Sequence, residues 1–258
     1  MKNLSRREAF GAIMGAAVAG GALLSITPSF DAHAEKSKFP WAYQKLDKNA
    51  VAEKAYWGFY EEGRGCCYGV FASIIETLAD KHGAPYNSFP CEMMTIGKSG
   101  IAGWGSVCGA LLGGAMAVSL FYGLKEHTPL INELFRWYES AAMPTYVPSK
   151  PKVQGPCQET VSGSILCHVS ASNWCFETKF DTHSAERSER CARVTGEVAR
   201  KTVEILNASH DRVFAFSGFS DEVKQCKSCH DKDNGADYAK GNMNCRPCHS
   251  QLSENHPK

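Results

Sequence analysis

The chain has 258 residues, 28 Lys and Arg against 27 Asp and Glu, a formal net charge of +1 and 43% hydrophobic residues. That balance, with both signs mixed through the C-terminal region, excludes a nucleic-acid surface or a basic membrane-surface patch as its organising feature. Twelve cysteines turn attention to disulfides, metals and redox chemistry.

At the N-terminus Lys2, Arg6 and Arg7 form a basic start, and an uncharged run from Ala9 to Phe30 follows. Ala32-His33-Ala34 supplies a small-x-small cleavage pattern, so residues 1–34 read as a signal peptide cut after Ala34. Ser5-Arg6-Arg7 with Phe10 and a weakly apolar, Gly/Ala-rich run resembles a twin-arginine signal, which predicts export to the periplasm. The competing reading, a retained membrane anchor, suits the weak hydrophobicity and the good cleavage site poorly.

Residues 35–46 read as a leader loop, and Asp47 as the N-cap of a first helix ending near Gly63. Helices are predicted over about 66–81, 104–122, 129–141 and 186–207. The last carries an apolar face through Val194, Val198, Val203 and Leu206. The uncharged stretch Ser99–Leu124 exceeds the roughly 20 residues that span a bilayer. Its glycines, cysteine and tryptophan interrupt it, so it reads as a Gly-rich start running into a buried helix, with no stable membrane insertion. Pro144, Pro148, Pro151 and Pro156 mark 142–165 as a long loop. No period-two pattern predicts a strand. The predicted fold is mainly α: a helical, cysteine-rich domain over 35–212, then a short irregular segment over 213–258. Trp41, Tyr43, Tyr56, Trp57, Phe59 and Tyr60 read as core or subunit-contact residues.

The C-terminal segment contains CKSCH and CRPCH, with fifteen residues between Cys229 and Cys245. That spacing fits a four-cysteine zinc ribbon, yet each pair is followed directly by histidine, His230 and His249. Covalent haem attachment requires this order: two cysteines form thioethers and the next histidine takes the axial iron position. Chance places a histidine at a given position about one time in forty, and here it does so twice. Export agrees with haem, which is attached outside the cytoplasm. Cys226, Cys229, Cys245 and Cys248 are therefore read as haem-attaching residues, with His230 and His249 as proximal ligands of two haems c. The short polar spacer keeps the two haems close. His210 and His256 are the candidate distal ligands, with methionines such as Met243 as the alternative.

Eight further cysteines precede this segment: Cys66, Cys67, Cys91, Cys108, Cys157, Cys167, Cys175 and Cys191. Disulfides are the ordinary reading in an exported chain. A twin-arginine route weakens it, because such cargo folds in a reducing cytoplasm, commonly around a cofactor inserted there. An iron–sulfur cluster, 2Fe-2S or 4Fe-4S, fits thiolate ligands. Cys66 and Cys67 open an amphipathic helix and diverge on it, so one is a spectator. Cys108 lies among small residues in GSVCGALLGG, and Cys167 in SILCHVSASNWC, a loop or helix start.

These residues resemble the split-Soret cytochromes c, and over 50–207 a wider family of redox-active proteins with a Cys…Cys-Gly-Ala-x-x-Gly…Cys…Cys pattern. The pattern stands here as Cys66 or Cys67 in GRGCCYGV, CGALLG from Cys108, Cys167 in LCHVS and Cys191 in ERCAR. The resemblance implies a mainly helical homodimer with its haems gathered at one end, bis-histidine ligation and an iron–sulfur cluster. The function so read is electron transfer with redox partner proteins. No acid–base or nucleophile constellation argues for an enzyme. A multi-haem reductase of a small oxidised molecule and a thiol–disulfide protein without a cluster remain the alternatives.

Overall fold

The computed structural model describes residues 38–231 and 241–249, within one unit running Ser37–Lys258. The signal-peptide reading of residues 1–34 lies outside the described residues. Seven α-helices and one two-stranded sheet make the described chain mainly α.

Asp47 caps α1 (Lys48–Tyr60) as its position predicts, its carboxylate accepting the N–H groups of Asn49 at 2.8 Å and Ala50 at 3.2 Å. This helix stops short of Gly63 because Glu62 turns the chain at φ 48°. α2 (Cys66–His82) starts directly after Gly65, whose φ of 86° suits glycine alone. The longest helix, α6 (Ala185–His210), is capped by Ser184, which accepts the Arg187 N–H at 3.1 Å. It packs on α1, α2, α3 (Gly109–Phe121) and α4 (Leu124–Ser140). Val194, Val198, Val203 and Leu206 are all buried there, as the periodicity requires. A Cβ on Gly69 would lie 2.7 Å from both the Ala55 carbonyl oxygen and Thr195 Cγ2. The absence of a side chain at Gly69 therefore sets how closely α1, α2 and α6 approach.

The structure corrects several predicted boundaries. α3 begins at Gly109, not near 104, because Ser99, Ile101 and Ala102 adopt left-handed φ of 54°, 60° and 50° in a run of turns. α4 begins at Leu124, not 129, with Pro129 inside it. The proline forfeits a bond to the Lys125 carbonyl, but that residue is exposed, so water can replace the donor. Two helices appear where none was predicted in full: α5 (Cys167–Thr178) and α7 (Asp221–His230). β1 (Ala142–Met143) pairs antiparallel with β2 (Thr160–Val161), a sheet too short for alternation to announce.

The proline-rich loop between 142 and 165 is held by carboxylates of the helices. Glu53 accepts the Tyr146 hydroxyl at 2.6 Å and the Ser149 N–H at 3.0 Å, and Glu197 the Thr145 N–H at 2.8 Å. Tyr43 and Tyr56 are core residues, whereas Trp57 is 43% exposed. No helix among the described residues is long and apolar enough to cross a membrane.

Candidate functional site

A single antiparallel bridge, Val107 opposite Leu166, sets the geometry of the cysteine pocket. Around it the Cys108 N–H donates to Ile165 O at 2.8 Å, and the Cys167 N–H to Ser106 O at 2.7 Å. The starts of α3 and α5 are thereby locked together. Cys108 is the residue before α3, Cys167 is the first of α5, and Cys66 is the first of α2. Cys191 joins them from inside α6. Helix starts carry unpaired N–H groups and the positive end of the dipole, which favour thiolate over thiol. Burial acts the other way. It pushes the Cys66 and Cys108 thiols up, and at Cys66 the nearness of Cys108, Cys191 and Cys167 adds to it. Cys167 is pushed up to about 12, by burial first and then by Cys108 and Cys191. Ionising Cys66, Cys108 and Cys167 together is therefore disfavoured, and a positive group beside them would offset the cost.

Of the adjacent pair, Cys66 faces the other three thiols. A Cβ on Gly109 would lie 2.5 Å from Cys66 Sγ, so this sulfur sits against the start of α3. A Cβ on Gly97 would lie 2.5 Å from Cys67 Sγ, which is packed instead against the turn leading to Lys98. Successive helical residues point about 100° apart, which is why the pair diverges. Cys91 is buried elsewhere, near Glu76 and Glu92. Cys157 and Cys175 each feel Cys191 from the side of Arg190.

Arg190 is the residue that the motif did not announce. It is 2% exposed, and its Nη2 donates to Ser170 Oγ at 2.8 Å. Its Nε is buried with no hydrogen-bond partner. Ser170 Oγ also shares a 2.8 Å hydrogen bond with the Tyr138 hydroxyl, which reaches the Cys108 thiol. Arg187 brings Nη1 to 4.0 Å from Cys191 Sγ. A buried cation with an unmet N–H, set among thiols at helix starts, fits an anionic iron–sulfur group. Among the described residues no three His, Cys, Asp or Glu side chains converge tightly enough to hold a single metal ion.

The second donor set lies on the C-terminal segment. Ser220 caps α7, and Cys226 and Cys229 stand one turn apart near its end, with His230 as its last residue. Around Cys245 the chain turns tightly, Cys248 N–H and His249 N–H both donating to Cys245 O at 3.2 and 2.9 Å. Cys226 lies within hydrogen-bond reach of Cys245, and Lys227 Nζ donates to Asn242 Oδ1 at 2.6 Å. The two motifs are therefore side by side. α4 anchors them: Glu133 accepts the Ser217 N–H at 2.9 Å, and Glu139 the Asn244 N–H at 2.8 Å. His210 closes α6 at the surface, its Nδ1 3.3 Å from Asp211 Oδ1. His256 lies outside the described residues.

The class these features define is a helical, cysteine-rich redox protein. Residues 65–205 match the family described as "Putative redox-active protein (C_GCAxxG_C_C)". The middle block of that description has Gly before Cys, whereas this chain reads Cys108-Gly109-Ala110-Leu111-Leu112-Gly113. The split-Soret cytochrome c of Desulfovibrio desulfuricans is 41% identical over 96% of this chain and 95% of its own length. A solved structure entitled "A novel iron centre in the split-Soret cytochrome c" from the same species superimposes with a TM-score of 0.79 and 43% identity. That match covers 84% of this chain and 95% of the other. The chain belongs to the split-Soret cytochrome c family.

Proposed function

We propose that this chain is a periplasmic electron-transfer protein carrying two covalent haems c and one iron–sulfur cluster. Cys226 with Cys229 and Cys245 with Cys248 attach the haems, and His230 and His249 are their proximal ligands. Cys66, Cys108, Cys167 and Cys191 hold the cluster, four thiolates sufficing for either a 2Fe-2S or a 4Fe-4S group. The observation that carries this reading is the side-by-side setting of two Cys-x-x-Cys-His motifs, Cys226 against Cys245, in a member of this family. The iron centre named in the relative's title supports a second site apart from the haems.

When bound, these groups supply iron that gains and loses one electron. The chain's own residues hold and shield them. α7 presents Cys226 and Cys229 on one face, the spacing that two thioethers need. α4 touches both centres, with Tyr138 at Cys108 and Glu139 at the segment bearing Cys245. Distal ligation by His210 and His256, a homodimer and docking by redox partner proteins complete the proposal.

Purified mature protein tests it. Haem staining should survive a denaturing gel, the mass should exceed that of the polypeptide by two haems, and total iron should exceed the haem iron, with acid-labile sulfide matching that excess. Absence of covalent haem would overturn the reading. Haem without acid-labile sulfide would remove the cluster from it.

A further inference from the structure

We infer that Arg190, seconded by Arg187, is the built-in counter-charge of the four-thiol pocket and sets the redox equilibrium of the centre bound there. The inference rests on the iron–sulfur reading above and deepens it. A guanidinium stays charged at any pH a protein tolerates, and one removed from water without an anion is strongly disfavoured. Arg190 is removed from water, at 2% exposure. Its Nη2 donates to a neutral hydroxyl, Ser170 Oγ, at 2.8 Å, Cys191 lies within hydrogen-bond reach of the guanidinium, and Nε has no partner. No carboxylate pairs with it among the described residues. The adjacent carboxylate, Glu189, is committed elsewhere: it accepts Arg193 Nε at 2.8 Å and the hydroxyls of Tyr56 and Tyr60, each at 2.8 Å.

The groups left facing Arg190 are Tyr138, Cys191 and Cys108. Of these the thiols are the natural partners for a cation, because iron binds cysteine as thiolate. The same helix brings Arg187 one turn earlier, 4.0 Å from Cys191 Sγ and half-buried. Two positive charges thus flank one ligand position on α6. A plain packing role for Arg190 would call for neither charge nor a free N–H.

The physical consequence has a sign. Reduction adds negative charge to the centre, so a fixed cation beside it favours the reduced form. Removing the cation should shift the oxidised–reduced equilibrium toward the oxidised form at least tenfold, a fall of about 59 mV for one electron. The test is an EPR-monitored redox titration of the full haem- and iron-loaded protein, with melting temperature read in parallel. Arg190→Gln and Arg190→Met should show the full shift. Arg190→Lys, which keeps the charge, should recover at least half of it. Arg187→Gln, on a less buried side chain, should move the equilibrium the same way by at least threefold.

A structural role would lower the melting temperature and leave the equilibrium within twofold of wild type. That result, or Arg190→Lys shifting as far as Arg190→Gln, overturns the inference. If the position-190 variants do not fold, Arg187→Gln decides: an unshifted equilibrium overturns it. Wild-type protein lacking non-haem iron would defeat the cluster reading itself, whereas loaded wild type with unshifted variants defeats this inference alone.

Discussion

Cys66 and Cys67 are both buried, and what separates them is the atom each sulfur meets. Cys66 Sγ lies against the α3 start and feels Cys108, Cys191 and Cys167, whereas Cys67 Sγ fills the notch over Gly97. Cys66→Ser should therefore strip the non-haem iron and sulfide to background, while Cys67→Ser keeps both, as chemical analysis per chain will read. The second variant buries a hydroxyl in place of a thiol, at a cost of about 1–3 kcal/mol if it finds no partner. Denaturant titration will show that cost. The sequence located the pair, because adjacent cysteines on one helix must diverge, but choosing between them needed the direction of α2 relative to α3. Arg190 was illegible for a related reason. An arginine in a helix rich in Arg and Glu reads as a solvated charge until the packing of α5 and α4 over it is seen.

At the scale of elements, α4 is the strut between the two donor sets. Its Tyr138 side chain meets the thiol pocket at Cys108, while Glu133 and Glu139 hold the haem-motif segment through backbone N–H groups of Ser217 and Asn244. Glu139→Ala removes an acceptor without touching the core. The Asn244 amide should then exchange with solvent at least tenfold faster, with the melting temperature changed by less than about 5 °C. Amide hydrogen exchange of the loaded protein checks this; unchanged protection would mean that the carboxylate does not secure the segment. Gly69→Ala acts at the opposite kind of place. Its Cβ would meet the Ala55 carbonyl at 2.7 Å, a backbone atom that cannot swing aside, so α1 must shift at a cost of about 1–3 kcal/mol. Urea unfolding midpoints measure it. The elements themselves were legible in proportion to their periodicity. α6 repeats its apolar face over about four turns, from Ala192 to Leu206, whereas α7 buries only Val223, and Ser220 with Asp221 and Glu222 is what hints at it.

For the whole molecule, the buried ionisable groups fix the range of pH over which the fold is most stable. Cys67 and Cys91, both outside the four-thiol pocket, are pushed from about 9 up to about 12, by burial first and then by Cys108 at Cys67 and Glu76 at Cys91. A thiol raised on folding binds its proton more tightly in the folded state. Its contribution is therefore complete below pH 9 and is lost as pH rises toward 12. Glu189 bounds the acid side. Burial pulls it upward, yet Arg193 and the hydroxyls of Tyr56 and Tyr60 more than offset this and hold it below the usual carboxylate range. Its contribution is present above that range and is lost as pH falls through the folded value. Unfolding midpoints should therefore hold nearly level from about pH 6 to pH 8.5 and fall on both sides. The alkaline fall should be shallower in Cys67→Ala and Cys91→Ala, because each removes one of the protons released on unfolding. Neither substitution should alter the iron content, since neither thiol faces Cys66, Cys167 and Cys191 together. An alkaline limb unchanged in both variants would place the titrating groups elsewhere and leave these two thiols without a part in it.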